Sequence, residues 1–151
     1  MRAPYNVLVL PYFFKDQQVQ FCVFLREDMR IWQFIAGGGE DGETIIESAK
    51  RESFEEAGVS DKLLYRQLES MCYVASSYFS QKARQHWGQK YVIPVYVFAV
   101  ELESERVSIS DEHTEHRWCT YEEAINLLHF DLDKTALYEL RERIADDQWN
   151  L

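Results

Sequence analysis

The sequence predicts an α+β fold, because segments typical of strands and of helices occur in separate blocks along the chain. Apolar, β-branched and aromatic runs fill the N-terminal part and the stretch Tyr91–Leu102. One acidic, amphipathic helix pattern follows the first block, and two further helix patterns lie near the C-terminus. Strands, one helix, more strands and terminal helices together indicate the α+β class.

The N-terminal segments are predicted to form a hairpin. Asn6–Phe14 and Val19–Arg26 are apolar runs on either side of a polar KDQQ stretch. Trp32–Ile35 is predicted as a short strand that leads into a glycine turn at Gly37–Gly39. We expect these glycines to take positive φ and to let the backbone approach a ligand closely.

The first helix is predicted to begin after Thr44 and to end at Gly58. Thr44 with Glu47 three residues later forms a capping box, and glycine is the usual left-handed stop. One stripe of this helix is expected to pack against the rest of the domain. Its members are Ile45, Ile46, Ala49, Ser53 and Ala57.

The second half of the chain is predicted to contain three strands and two helices. Tyr91–Leu102 reads as a central strand, although Pro94 inside it indicates a bulge or an edge on one side. Ser76–Tyr91 is too long for a plain turn, and we expect an ordered, functional loop. The other strands are Leu63–Val74 and His116–Cys119, and the helices are Tyr121–Leu128 and Lys134–Ile144.

Length and charge restrict the class of protein. The chain has 151 residues, from which we expect a single domain over residues 1–151. A net charge of −10 argues against a nucleic-acid polymer as partner, since that would require a basic surface. The N-terminal apolar run is short and broken by Pro11, so it predicts neither a signal peptide nor a membrane span.

The cysteines indicate the compartment. Cys22, Cys72 and Cys119 are far apart and lack paired zinc-type spacing. We expect buried free thiols, which fits a reducing, cytoplasmic location.

Residues 37–59 carry the chemistry. Glu52, Glu55 and Glu56 stand at i, i+3 and i+4 and therefore share one helix face beside Arg51. Acidic side chains so close repel one another unless cations lie between them. Because Mg²⁺ takes oxygen ligands and binds phosphate oxygens, the segment predicts a metal platform for a phosphate-bearing substrate.

The same stretch resembles the signature of the Nudix hydrolases, which is Gly, five residues, Glu, seven residues, then Arg-Glu-aliphatic-any-Glu-Glu-any-Gly-aliphatic. Ser53 departs from it at an aliphatic position, but this residue does not touch the carboxylates. The resemblance implies a Nudix-type α/β/α sandwich with a mixed β-sheet between helices, and a hydrolase acting on phosphoric anhydride bonds. The residues in register are Gly37, Glu43, Arg51, Glu52, Glu55, Glu56, Gly58 and Val59.

The resemblance gives roles to the helix. Glu52 and Glu56 are expected as metal ligands, in agreement with their i, i+4 spacing. Glu55 is expected either to bind a second metal or to pair with Arg51. Arg51 is expected to orient a glutamate rather than to contact the substrate. For Glu43, loop support and a place behind the metal ligands both stay open.

A catalytic base is expected outside the signature. The segment DEHTEHRW resembles the end of the bacterial dATP and dihydroneopterin triphosphate pyrophosphohydrolases within the Nudix family, where a glutamate before histidine reaches the metals. Glu112 is therefore the candidate base and a further metal ligand, with Glu115 as the competitor. His113 and His116 are expected to form hydrogen bonds, because oxygen donors suit Mg²⁺ better.

Several residues are candidates for substrate binding. Arg26, followed by Trp32, resembles the arginine-rich strand end and Trp-Gln pair of that pyrophosphohydrolase group, and it could hold a terminal phosphate bidentately. Arg2 could do likewise. The Ser76–Tyr91 segment adds cations for phosphates and aromatic side chains for stacking. The predicted substrate-binding set is Arg26, Trp32, Gly37, Gly38, Lys82 and Arg84; the Gly38 carbonyl is also a candidate metal ligand.

These observations predict a Mg²⁺-dependent pyrophosphohydrolase, with Mn²⁺ as the alternative ion. The substrate would be a nucleoside or pterin triphosphate, cleaved to the monophosphate and pyrophosphate. One alternative is a Nudix hydrolase of another nucleoside diphosphate-X, such as ADP-ribose, a sugar nucleotide or a dinucleoside polyphosphate. A non-catalytic, ligand-sensing Nudix domain is the other, and the complete set of signature glutamates disfavours it. Neither a nucleic-acid polymer nor a membrane is an expected partner.

Overall fold

The computed structural model describes residues 1–110 and 113–147, and the backbone alone of residue 114. Within these residues the chain forms seven strands, four α-helices and a short 3₁₀ turn at Ser76–Tyr78. The strands are β1 (Arg2–Lys15), β2 (Gln18–Arg26), β3 (Ile31–Gln33), β4 (Ile35–Glu40), β5 (Tyr65–Ala75), β6 (Val92–Glu101) and β7 (His113–Cys119). The helices are α1 (Ile45–Ala57), α2 (Gln81–Trp87), α3 (Tyr121–Leu127) and α4 (Asp131–Asp146).

The sheet is mixed and is organised around β1. This strand pairs in parallel with β6 along one edge. Along its other edge the N-terminal half pairs with β4 and the C-terminal half with β2, both antiparallel. Strand β2 in turn pairs with β3 and β7, and β5 pairs with β6. Among the described strands β4 pairs only with β1, so its other edge is open.

The two faces of the sheet carry separate cores, as strand alternation requires. Val7 and Val9 face a cluster that includes Ala49 and Ala57 of α1. Leu8 and Leu10 face the opposite cluster, to which α3 and α4 contribute. The sheet is therefore covered by α1 on one side and by α3 and α4 on the other, and the predicted α+β sandwich is confirmed.

Several predicted elements are confirmed. The hairpin turns at Asp16 and Gln17, which both have positive φ, and Tyr12 pairs with Phe21 across it. Pro94 pairs with β5, whereas pairing with β1 begins only at Val95, so the proline lies where β6 has one neighbour. The helix patterns correspond to α1, α3 and α4.

Two expectations are wrong. Gly37–Gly39 form no turn: they belong to β4, and the glycines with positive φ are Gly42, Gly58 and Gly88. Residues 76–91 form no continuous loop either, because α2 lies inside them, capped by the Ser80 hydroxyl, which accepts from the Ala83 amide. Neighbouring glycines favour turns locally, but contacts from distant side chains determine the conformation here.

The described thiols are free, and Cys22 and Cys119 are fully buried. Burial raises the pKa of the Cys119 thiol to about 11. No helix within residues 1–110 and 113–147 has the length and apolar character that crossing a membrane requires.

Candidate active site

Helix α1 is fixed at both ends, which sets the direction of its acidic side chains. At the N-terminus the Thr44 amide donates to the Glu47 carboxylate (2.8 Å), and the Glu47 amide donates to the Thr44 hydroxyl (3.2 Å). At the C-terminus Gly58 has φ +68°, and its amide donates to the carbonyls of Phe54 and Ser53. Both predicted caps are confirmed. Ser53, the departure from the signature, is fully buried on the packed stripe.

Within β4, the run Gly37–Gly39 leaves room that side chains from other elements occupy. A Cβ added to Gly37 would lie 2.1 Å from the Glu52 carboxyl carbon. A Cβ added to Gly38 would lie 1.9 Å from the guanidinium carbon of Arg2. Because consecutive strand residues face opposite sides, Glu52 and Arg2 lie on opposite faces of β4. The register agrees: Gly37 pairs with Val7 on the α1 side, and Gly38 with Asn6.

Arg51 connects three glutamates of the signature with the backbone of β4. Its Nε donates to Glu43 Oε2 at 2.7 Å, and its Nη2 donates to the Gly38 carbonyl at 2.7 Å. Its Nη1 donates to Glu52 at 3.0 Å and to Glu55 at 3.3 Å. The Gly38 carbonyl, a candidate metal ligand from the sequence, thus accepts a hydrogen bond from Arg51.

Glu43 is held as a carboxylate. Hydrogen bonding from Arg51 is the main reason that the pKa of Glu43 falls to about 2, with help from the Ser48 hydroxyl at 2.6 Å and the Glu40 amide at 3.0 Å. The hydrogen bond with Glu43, followed by that with Glu52, raises the pKa of Arg51. Glu43 therefore supports both the loop before α1 and the position of the Arg51 guanidinium.

The three helix carboxylates differ in exposure. The Glu52 side chain is 13% exposed and that of Glu55 56%, while Glu56 is buried at 5%. Within the described residues, no three acidic, histidine or cysteine side chains are already gathered around one point as ion ligands. Their oxygen donors nevertheless suit a hard divalent cation, and the neighbouring negative charges would be relieved by one. The residues therefore fit such an ion, provided that Glu52 exchanges its contact with Arg51 for the ion.

The candidate base Glu112 lies outside the described residues. The chain before it is attached to the end of α1: the Ser110 amide donates to the Glu56 carbonyl at 3.0 Å, and the Ser108 amide to the Ala57 carbonyl at 3.0 Å. Its competitor Glu115 is exposed and pairs with Leu25 across β2 and β7.

The histidines of this segment contact β2. His113 is buried, with its ring 5.3 Å from that of Phe24, and the His116 ring lies 6.4 Å from the same phenylalanine.

The remaining substrate candidates are not gathered in one place. Arg26 pairs bidentately with Asp28 at 2.8 and 3.2 Å. The ring of Trp32 lies under the Arg117 guanidinium at 4.8 Å. Lys82 and Arg84 are exposed on α2, and Arg84 lines a separate depression on that helix.

A cavity of about 520 Å³ lies on the α4 side of the sheet, next to β4, the glycine strand that contains Gly37–Gly39. Arg26 is on its wall, but most of the lining could not be found from the sequence. Asp133 is the main omission: it is 3% exposed, and its carboxylate accepts from the Phe34 amide at 2.9 Å. Burial raises the pKa of Asp133 to about 7. The lining includes Asn6, Leu8, Ala36, Val74, Phe130 and Asp133.

Comparison with known proteins agrees with this geometry. The sequence profile of the NUDIX domain matches residues 6–140. The chain is 33% identical over 119 residues to Nudix hydrolase 12, mitochondrial, of Arabidopsis thaliana, covering 78% of this chain and 56% of that protein. The chain thus spans little more than half the length of this relative.

Solved structures show the same fold. A protein from Listeria monocytogenes described as a NUDIX hydrolase superposes with a TM-score of 0.86 at 43% identity, covering 96% of this chain and 97% of the other. The Escherichia coli dihydroneopterin triphosphate pyrophosphohydrolase superposes with a TM-score of 0.72 at 21% identity, covering 93% and 97%. Nudix hydrolases generally use divalent metal ions such as Mg²⁺. The matched profile, the signature in register and the shared fold show that this chain belongs to the Nudix domain family.

Proposed function

We propose that the protein is a Mg²⁺-dependent pyrophosphohydrolase that cleaves a nucleoside or pterin triphosphate to the monophosphate and pyrophosphate. One observation carries the proposal: the acidic face of α1 packs against the glycine run Gly37–Gly39 of β4, and a cavity lies on the far side of that strand. One substrate would then cross the open edge of β4, with its phosphates beside Glu52 and its ring in the cavity. The volume of the cavity is within the range of small-molecule sites.

Glu52 and Glu56 would hold the divalent ion, and the exposed Glu55 could reach a second one. The ion, when bound, would neutralise phosphate oxygens and lower the pKa of a water molecule. Without the ion Arg51 holds Glu52 through the 3.0 Å contact, which the ion would replace, and Glu43 holds Arg51 in place.

The reaction transfers the α-phosphorus, with the nucleoside or pterin that it carries, to water. In our proposal Glu112 accepts the proton of the attacking water, whose oxygen bonds to one phosphorus. The bond from that phosphorus to the bridging oxygen breaks, and pyrophosphate leaves with the electron pair. Glu115 is the alternative acceptor, because it lies in the same segment of the sequence.

The cellular setting is part of the same proposal. Free, largely buried cysteines fit a reducing compartment, for which we propose the cytoplasm. A small nucleotide or pterin triphosphate is the proposed partner, and a single catalytic domain the proposed organisation of residues 1–151.

The direct test measures pyrophosphate and phosphate release from dNTPs, NTPs, dihydroneopterin triphosphate, ADP-ribose and sugar nucleotides, with and without Mg²⁺. We expect metal-dependent pyrophosphate from a triphosphate, and its loss in Glu56→Gln. Glu47→Gln is the matched control, because it removes one charge from the same helix while glutamine retains the capping-box acceptor. Monophosphates from ADP-ribose or a sugar nucleotide would instead establish the diphosphate-X alternative, and no turnover in a Mg²⁺-binding protein would favour a sensor.

A further inference from the structure

Arg2 occupies the face of β4 opposite Glu52. Its guanidinium lies against Gly38, in space that the Cβ of any other residue there would fill. Nη1 donates to the carbonyls of Ala3 (3.2 Å) and Tyr5 (3.0 Å), and Nη2 donates to Asn6 Oδ1 (2.5 Å). The guanidinium is therefore held in one orientation beside Asn6, which lines the cavity.

The segment before β6 encloses Arg2 from the other side. The Phe79 ring lies 5.2 Å from the guanidinium carbon, in a cation–π arrangement. The Trp87 indole donates to the Arg2 carbonyl at 2.7 Å, and Trp87 itself is buried. Two aromatic residues of the segment that the sequence suggested for stacking on substrate thus hold Arg2.

The charge of Arg2 is not neutralised as that of the neighbouring arginines is. Arg51 forms salt bridges with three glutamates, and Arg26 forms one with Asp28. Among the described residues, no carboxylate lies within 4.0 Å of the Arg2 guanidinium. Burial lowers the pKa of Arg2, which the charges of Glu52 and Glu40 oppose.

Arg2 also retains donors. Its hydrogen bonds use Nη1 and one N–H of Nη2, so Nε–H and the second Nη2–H meet no acceptor within the described part of the chain. A half-buried cation with two spare, coplanar donors matches the geometry of phosphate oxygens.

We propose that Arg2 is a phosphate-binding residue that holds a substrate phosphate across β4 from the metal-binding carboxylates. A substrate with one phosphate at Arg2 would extend from the α1 side of β4 toward the cavity. This contact would set its orientation. The substrate orientation rests on the proposed function, whereas anion binding at Arg2 can be tested without turnover.

A structural role predicts different results. The pairing of β1 with β4 shifts register between Arg2 and Asn6, and the guanidinium donates to carbonyls within this irregular segment. If that were its whole role, replacing Arg2 would lower stability without a specific effect on anion affinity.

The test titrates inorganic tripolyphosphate and pyrophosphate into the full chain by calorimetry, without metal and with Mg²⁺, alongside thermal unfolding. We expect Arg2→Gln to weaken tripolyphosphate binding about tenfold or more, because a hydrogen-bonded charge contact is lost. Arg2→Lys should bind more tightly than Arg2→Gln, since lysine retains the charge but lacks the paired N–H donors of the guanidinium. Arg106→Gln, on an exposed loop, removes the same charge and should leave the affinity unchanged.

Gly38→Ala provides a second route that does not depend on the folding of Arg2→Gln. The added Cβ displaces the flexible end of Arg2 and keeps its charge. It should weaken anion binding to a similar extent, and the double variant should be no weaker than Arg2→Gln alone.

The outcomes separate this inference from the proposed function. Unchanged tripolyphosphate affinity in Arg2→Gln, or no binding by the wild-type chain, overturns it even if triphosphates are hydrolysed. Equal losses for Arg2→Gln and Arg106→Gln also overturn it, because they would show a general charge effect. A specific loss at Arg2 supports the anion site even if no triphosphate in the substrate panel is cleaved.

Discussion

Replacing Gly37 by alanine should damage catalysis while leaving the fold intact. The added Cβ would lie 2.1 Å from the Glu52 carboxyl carbon and 2.3 and 2.4 Å from its two oxygens. Ordinary carbon–carbon contact begins at about 3.5 Å, so the carboxylate must retreat by about 1.4 Å. The contact from Arg51 to Glu52, now 3.0 Å, would be lost in that movement.

The expected size follows from the displacement. A misplacement of about 1 Å can reduce rate about 100-fold, so kcat/KM should fall at least about that much. Stability should change by less than about 1 kcal/mol, because alanine suits a strand and the atoms that move are the end of a flexible side chain. The measurements are steady-state kinetics on the substrate identified by the panel and thermal unfolding of both proteins.

Two comparisons make the reasoning refutable. Gly42→Asn adds a side chain to a glycine that has open space around it and a positive φ that asparagine tolerates, so its kcat/KM should stay close to wild type. The variant pair Gly37→Ala and Glu52→Gln should be far from additive, since both act on one carboxylate. A Gly37→Ala enzyme with wild-type kcat/KM would falsify the placement of Glu52 against this strand.

Three further changes test the electrostatics of the described residues. Glu43→Gln should remove stability that the wild type has above about pH 4.5 and loses as pH falls toward 2, where Glu43 is protonated in the folded state; unfolding temperature against pH checks this, and an unaltered acid limb would contradict it. Asp133→Asn should flatten the fall in stability that we expect as pH rises from about 4 to 7, because folded Asp133 keeps its proton in this range and the unfolded form does not; an unchanged slope in denaturant unfolding would count against it. Glu139→Ala should lower the free energy of unfolding by about 1–3 kcal/mol, since the carboxylate accepts from the amides of Glu69 (2.7 Å) and Ser70 (2.8 Å); a loss below about 0.5 kcal/mol in urea unfolding would show that water replaces it.

Helix α1 could be predicted in detail because its signals are local. Its capping box, its left-handed glycine and its packed stripe depend on residues within one or two turns of one another. The hairpin of β1 and β2 was predictable for the same reason, since turn and alternating runs are adjacent in sequence. Local pattern also placed Pro94 beside a one-sided stretch of strand.

The glycine strand could not be predicted because its conformation depends on distant residues. The spaces left by Gly37, Gly38 and Gly39 are filled by Glu52, Arg2 and Tyr5 respectively, which approach from α1 and from β1. Local propensity favours a turn for consecutive glycines, and nothing in the sequence reports that three side chains need the room. The same limit applies to the cavity, whose walls come from the six strands β1 to β6, from α4 and from the residue before that helix.

The charges on the two sides of the glycine run Gly37–Gly39 of β4 differ in sign. On the α1 side the single positive charge of Arg51 faces Glu43, Glu52 and Glu55, so negative charge is in excess there until cations enter. On the opposite side Arg2 is positive and has no carboxylate partner among the described residues. A polyphosphate that crossed the strand would meet positive charge on both faces. On one face the charge would be divalent ions held by the carboxylates, and on the other it would be the Arg2 guanidinium. Each face alone would hold part of such a ligand, and only a chain of phosphates long enough to cross β4 would engage both.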